Sequence, residues 1–463
     1  MTLIKSISGI RGTIGGKAGE GLTPIDIVKY TAAFGTWIKK KNPSKKTVMV
    51  LGRDARISGD MAERLVTGTL AGLGIDIINL SLATTPTVEI AVQVLKADAG
   101  IILTASHNPR QWNALKLLNA SGEFLSALDG AEVLEIAEKG DFTYAAVDDL
   151  GKVSSNTEMG NLHIRQILHL PLVNRKAIQQ AGFRVVVDCV SSVGGLIIPQ
   201  LMKELGVAEV VELYCSPTGE FPHNPEPLPQ HLGAISAAMK EHKADVGFVV
   251  DPDVDRLAIV NEDGSMFGEE YTLVAVADYV LQHTSGNTVS NLSSTRALRD
   301  ITLKYGGEHT AAAVGEVNVV QEMKRVKAVI GGEGNGGVIY PPLHYGRDAL
   351  AGIALFLSHL ALWGKKCSQL RATYPEYVIS KNKIELTPDI DVDAVLALIR
   401  DKFSNYPVNT IDGVKIDFEK EWVHLRKSNT EPIIRIYAES ASEESAAVLA
   451  NKIIQEIKRV SRK

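Results

Sequence analysis

The most constraining feature of this chain is a rhythm in which short apolar runs alternate with stretches of helical period, and which restarts twice. TVMVL at 47–51 reads as a buried strand, 60–73 as a helix, IDIINL at 75–80 as a strand and DAGIILT at 98–104 as another. The rhythm returns at RVVVD (184–188), VAEVVEL (207–213) and ADVGFVV (244–250), and again at LAIVN (257–261), TVSNL (288–292) and KAVIGG (327–332). Strands spaced by helices make βαβ units, so three successive mixed α/β layers are expected. After an apolar helix at 348–363 the pattern changes to a helix at 391–404, strands near 414–418, 421–427 and 432–439, and an amphipathic helix to the end. That change marks a separate α+β domain. We therefore expect α/β domains over 1–150, 151–254 and 255–371 and an α+β domain over 372–463, with the polar segment from about 140 to 160 connecting the first two.

Composition narrows the function. Apolar residues make up 45% of 463 and charged residues 22%, the balance of a folded globular chain. A net charge of −5 offers no broad basic field for nucleic acid or anionic lipid, so any phosphate chemistry is expected to be local. No apolar run of about 18 residues suggests a membrane span. The start MTLIKSISGIRG lacks the order of a secretory leader, and a cytoplasmic protein is expected. Cys189, Cys215 and Cys367 form no CxxC pair and read as reduced buried thiols.

Three polar loops follow apolar strands: TASHNP, DPDVDR and GEGNGG. Ligands of open α/β sheets bind at strand carboxyl ends, so these loops are expected to converge on one cleft. In the first, the Ser106 hydroxyl is a candidate nucleophile, the alternative being an ST-turn or helix N-cap. In the second, Asp251, Asp253 and Asp255 crowd three carboxylates at alternate positions, with Arg256 closing the run and available to a substrate phosphate. Charges about 4 Å apart repel by roughly 1 to 4 kcal/mol per pair, and a bound cation is the natural compensation. Oxygen ligands without His or Cys favour Mg²⁺; a solvated acidic turn is the alternative. In the third, glycines allow close approach, and Glu333 and Asn335 can hydrogen-bond sugar hydroxyls, unless the loop is only a flexible hairpin turn.

Further along, RKSNTEPIIR gathers Arg426, Lys427, Ser428, Asn429, Thr430 and Arg435, a candidate phosphate cradle or else a solvated turn. Arg11, between glycines, and Lys116, ten residues beyond Ser106, could hold phosphate or shuttle a proton; alone, each reads as a surface charge.

Taken in order, TASHNP, DPDxDR, a GExxGx loop and RxSNTEP resemble the α-D-phosphohexomutases over essentially the whole chain. The resemblance implies four domains around a cleft and a phosphoserine at Ser106, with Asp251, Asp253 and Asp255 binding Mg²⁺ beside a Ser106 phosphoryl oxygen. It implies sugar contacts from Glu333 and Asn335 and phosphate contacts from Arg426, Ser428, Asn429 and Thr430. Arg11 and Lys116 then belong beside the phosphoserine, Lys116 as general acid or base, with His107 supporting the loop. The implied reaction interconverts hexose 6-phosphate and hexose 1-phosphate through a hexose 1,6-bisphosphate. The TEP run leans toward phosphoglucosamine mutase, with phosphomannomutase or phosphoglucomutase next. A metal-dependent sugar phosphatase and a non-catalytic sugar-phosphate sensor are remoter alternatives. Two departures stand out: NALK carries Ala114 where glycine is common, and Gly337 stands where a histidine is often found. His344 nearby reads as an ordinary surface histidine. The sequence leaves open whether the chain is a monomer or a homo-oligomer.

Overall fold

The computed structural model describes residues 1–6, 9–43, 45–385, 391–427 and 433–460, which form four sheets in succession. In the first, Val48–Arg53 lies parallel to both Ala99–Leu103 and Asp76–Leu82, and Trp112–Leu118 runs antiparallel beside Ala99–Leu103. Apolar clusters cover both faces, which is why these strands read as unbroken apolar runs. Helix starts are written locally. Thr23 and Asp26 form a capping box at Pro24–Lys41, with Pro24 in the first turn, where a missing N–H costs nothing. The segment expected to be a plain connection contributes to this sheet, because Val153–Ser155 pairs parallel with Asp76–Leu82 at its edge.

The second sheet corrects one expectation. LAIVN does not open the third layer: Leu257–Asn261 turns back antiparallel on Val246–Val250, with Leu257 opposite Val250. The connection between them is DPDVDR itself, too short for the crossover that a parallel strand requires. The acidic loop is therefore the tip of a β-hairpin. The third sheet ends likewise, in a hairpin of Ile330–Glu333 and Gly337–Ile339 whose tip is the Gly-rich loop.

Helix Ala349–Trp363 is buried from Ala349 to Leu360, and one apolar cluster spans it and both flanking layers. Phe356 meets Phe248 and Phe267 edge to face, at 6.0 and 5.3 Å between ring centroids. A helix wrapped on all sides needs no polar face, hence its uniform composition. The fourth sheet is wholly antiparallel, packs on Val392–Lys402 and Glu443–Val460, and has its own core. The mixed α/β layers with a C-terminal α+β domain are thus as expected. Among the described residues no helix is long and apolar enough to cross a membrane.

Candidate active site

Strand Ala99–Leu103 delivers Ser106 to the start of the cleft with a positive φ of 50°, an uncommon conformation for a residue with a Cβ. A buried ion pair holds it there. Arg56 Nε lies 2.8 Å from Asp54 Oδ2, both side chains fully buried. The same guanidinium donates to the backbone carbonyls of Ser106, Pro109 (3.0 Å) and Trp112 (3.1 Å). Asp54 also accepts from Thr104 Oγ1 at 2.7 Å, and Thr104 Oγ1 accepts the Ser106 amide at 2.9 Å. Ser106 Oγ then donates to Asp251 Oδ2 at 2.7 Å. The structure thus brings together the serine of the first layer and the acidic hairpin of the second.

In that hairpin all three carboxylates are buried and can each offer an oxygen within 4.8 Å of the others. Lys116 Nζ sits 2.6 Å from Asp253 Oδ2 and 3.5 Å from Asp255 Oδ2, so Lys116 is no surface charge. Thr85 donates to Asp253 Oδ2 at 2.6 Å and Arg347 to Asp255 Oδ2 at 2.6 Å. The two remaining oxygens, Asp253 Oδ1 and Asp255 Oδ1, are buried without a hydrogen-bond partner. Orphaned anionic oxygens in a dry site are costly, and a hard divalent cation fits this donor set. Burial and the neighbouring carboxylates push Asp251 well above the ordinary carboxylate range. Asp253 and Asp255 feel the same burial but are held low, by Lys116 and by Arg347 with Lys116 respectively. Lys116, despite its burial, is raised by Asp253 and Asp255 and keeps its proton.

The Gly-rich hairpin closes on the acidic one. Leu257 N donates to Gly336 O at 3.1 Å, and Gly336 has φ +85° with no room for a Cβ, which would lie 2.3 Å from Leu257 O. Only glycine satisfies both demands. Glu333 accepts from Asn291 Nδ2 at 2.8 Å, Gly315 N at 3.2 Å and Arg347 Nη1 at 2.8 Å, while Asn335 lines the cleft. His344 overturns its expectation. It is buried, with Nδ1 3.3 Å from Glu89 and Nε2 3.1 Å from Asp348, because the loop 340–348 passes under the first layer.

The basic residues face these hairpins across a cavity of about 260 Å³ lined by all four parts of the chain. Arg256, His107, Arg426 and Arg435 reach it, and Arg11 donates to Asn108 Oδ1 at 2.8 Å in the serine loop. Burial, then Arg256 and Arg11, depress His107 well below an ordinary histidine; its Nδ1 lies 3.4 Å from Ser106 Oγ. Arg426 and Arg435 stand directly opposite each other on paired strands. Like charges so placed destabilise a sheet; Asp412 lies 3.4 Å from Arg426 and offsets part of the repulsion, and a phosphate between the two arginines would relieve the rest. Ser428, Asn429 and Thr430 lie outside the described residues.

Sequence reasoning missed Asp54, Arg56, Thr85, Glu316 and Arg347. Two signals were available: GRDAR follows TVMVL as the other polar loops follow their strands, and an Arg-Asp pair directly precedes a predominantly apolar helix.

The fold and its cleft bring a loop serine, a buried acidic cluster and opposed arginines together, and comparison with known proteins gives their class, the isomerase-class phosphotransferases. The family descriptions "Phosphoglucomutase/phosphomannomutase, alpha/beta/alpha domain I", "domain II" and "domain III" match residues 3–144, 161–264 and 268–377, and the family's C-terminal domain matches 382–456. The chain belongs to the phosphoglucomutase/phosphomannomutase family, the phosphohexomutases. It is 35% identical over 440 residues to a phosphoglucomutase/phosphomannomutase of Thermococcus kodakarensis, covering 94% of this chain and 95% of that one. It is 31% identical over 456 residues to a protein of Methanopyrus kandleri named "Probable phosphoglucosamine mutase", covering 98% and 97%. A crystal structure of a phosphoglucomutase/phosphomannomutase family protein from Burkholderia thailandensis superposes with a TM-score of 0.85 at 25% identity, over 99% of this chain and 98% of the other.

Proposed function

We propose that this phosphohexomutase is a phosphoglucosamine mutase, moving a phosphoryl group between the 6 and 1 positions of glucosamine through a phosphorylated Ser106 and a 1,6-bisphosphate. The observation that carries the serine's role is its 2.7 Å approach to Asp251 inside the buried acidic cluster, at the edge of an arginine-lined cavity. The amino sugar is favoured because Glu226 lines the same cavity with its carboxylate 3.9 Å from Arg256 and 4.0 Å from His107, placed to meet an ammonium group as well as hydroxyls, whereas Glu269 and Glu333 are engaged by Lys381 and Arg347. The relative in Methanopyrus kandleri carries the matching name. The name of the Thermococcus kodakarensis relative supports the second reading, glucose or mannose phosphate.

Asp251, Asp253 and Asp255 would hold Mg²⁺. Bound there, the cation neutralises charge on the transferring phosphoryl oxygens. The chain's own residues supply the rest. Arg426 and Arg435 hold the phosphate that does not transfer, as forks matched to its oxygens. Glu333 and Asn335 orient the sugar, so that transfer needs positioning rather than an activated nucleophile. Lys116, which keeps its proton, serves as the acid at the oxygen bridging to Ser106; neutral His107 is placed to take a proton from the incoming hydroxyl. Arg256 and Arg11 steady the same phosphoryl group. Buried walls keep water from the phosphoserine.

The reading is tested by converting glucosamine 6-phosphate, glucose 6-phosphate and mannose 6-phosphate to their 1-phosphates with Mg²⁺ and a trace of the matching 1,6-bisphosphate. Glucosamine 6-phosphate should give the highest kcat/KM, and Ser106→Ala should lose at least a thousandfold. Equal rates for all three sugars would remove the amino-sugar assignment, and activity surviving in Ser106→Ala would remove the phosphoserine.

A further inference from the structure

Arg347 is buried and its guanidinium serves three carboxylates: Nε reaches Glu316 at 2.8 Å, Nη1 reaches Glu333 at 2.8 Å and Nη2 reaches Asp255 at 2.6 Å. Asp255 belongs to the acidic hairpin of the second layer, Glu333 to the Gly-rich hairpin of the third. A single planar fork thus spans the two loops. Its backbone is fixed on the next residue, where Asp348 N donates to Val338 O at 2.8 Å and Asp348 Oδ1 caps helix Ala349–Trp363. The side chain leaves that point directly over Gly337. A Cβ on Gly337 would lie 2.3 Å from Arg347 Cδ and 3.0 Å from Cγ. Gly337 has no positive φ, so its conformation admits any residue; the space above it does not.

We propose that Arg347 is the positioning residue that sets the sugar loop against the acidic loop, and that position 337 is glycine so that its side chain can pass. This rests on the reading of Asp255 as a cation ligand and Glu333 as a sugar contact. By occupying Asp255 Oδ2 the arginine leaves Oδ1 as the carboxylate's free oxygen, and by holding Glu333 Oε2 it fixes the rotamer from which that carboxylate meets a hydroxyl. Removing such a supporting partner typically costs about 10- to 100-fold in metal affinity or activity.

The test compares Gly337→Ala, Arg347→Met and the double variant in the full chain. Titration with Mn²⁺, followed by its paramagnetic signal, reports the acidic loop without turnover; KM and kcat for sugar phosphate report the sugar loop. Gly337→Ala, which removes no charge, should weaken Mn²⁺ about tenfold and raise KM by a similar factor with a smaller change in kcat. In the double variant the alanine should add less than twofold to Arg347→Met, because the guanidinium whose contacts it would disturb is already gone and a methionine without those partners can swing off position 337. If Arg347→Met does not fold, Gly337→Ala alone decides. Wild-type Mn²⁺ affinity and KM in Gly337→Ala, or effects that multiply in the double variant, would overturn the proposal. A wild-type chain that binds Mn²⁺ but converts no sugar phosphate would remove the mutase reading and leave the Mn²⁺ comparison to judge Arg347.

Discussion

A guanidinium with no exposed atom is accounted for by what it holds, and Arg56 holds the serine loop by its carbonyls. Loss of one member of a buried ion pair strands the other, at about 3–5 kcal/mol. Arg56→Met is therefore expected to lower the stability of the first layer by that order in urea titration, and to loosen Ser106 before any chemistry is considered. Arg56→Met with Asp54→Asn should recover part of the loss, since the stranded charge is removed too. If the single variant is as stable as wild type, the pair does not hold the loop. Ser106 and Val254 both lie at positive φ, 50° and 64°, in the two loops that meet. Each costs on the order of 1–3 kcal/mol, sustained because the surrounding bonds over-determine the loops.

Among elements, the loop 340–348 and the helix it starts tie three layers together through one carboxylate. Asp348 Oδ2 meets His163 Nε2 at 2.8 Å and His344 Nε2 at 3.1 Å, while His163 Nδ1 lies 3.0 Å from Thr87 Oγ1. Burial alone would lower His344, but Asp348 and Glu89 push it up to about 10. A folded value above the unfolded ~6.5 means that its stabilisation is complete below that pH and lost as pH rises through 10. Glu89, pushed up to about 8 by burial and by Glu316, titrates in the same direction. The melting temperature should therefore fall between pH 7 and 10, and fall less in His344→Gln; parallel curves would show that the histidine is not charged. This network was illegible in the sequence, because nothing local distinguishes a buried histidine from an exposed one when one partner lies at 89 and the other, Asp348, is shared with His163. The acidic and Gly-rich motifs were legible, since their residue types carry chemistry wherever they lie. For the Gly-rich loop a hairpin turn was already the alternative, and Gly337–Ile339 makes it one; what could not be read was that the acidic loop is a hairpin tip too, decided by the antiparallel return of Leu257–Asn261. Periodicity identifies a strand without its direction.

At the scale of the whole molecule, the second and third layers share one core around Phe356, whereas the C-terminal domain has its own. Calorimetry should resolve at least two transitions. Phe356→Ala, at a cost of about 3–5 kcal/mol, should move the one belonging to the middle layers and leave the C-terminal one in place. A bound sugar phosphate, touching Arg426 and Arg435 as well as the three hairpin and serine loops, should draw the transitions together. One indivisible transition for the free chain would contradict the separate cores.

Thr85, at the start of a first-layer helix, donates to the Asp253 side chain at 2.6 Å through its hydroxyl and to the Asp253 carbonyl at 2.9 Å through its amide. The contact that joins two layers is thus made at the acidic cluster itself. Recombination between relatives meets the consequence: a crossover between layers is neutral only when both parents agree on Thr85 with Asp253, and on Arg347 with Asp255 and Gly337. The chain is divisible by folding and indivisible by inheritance, and libraries of shuffled mutases should lose function at these junctions before they lose structure.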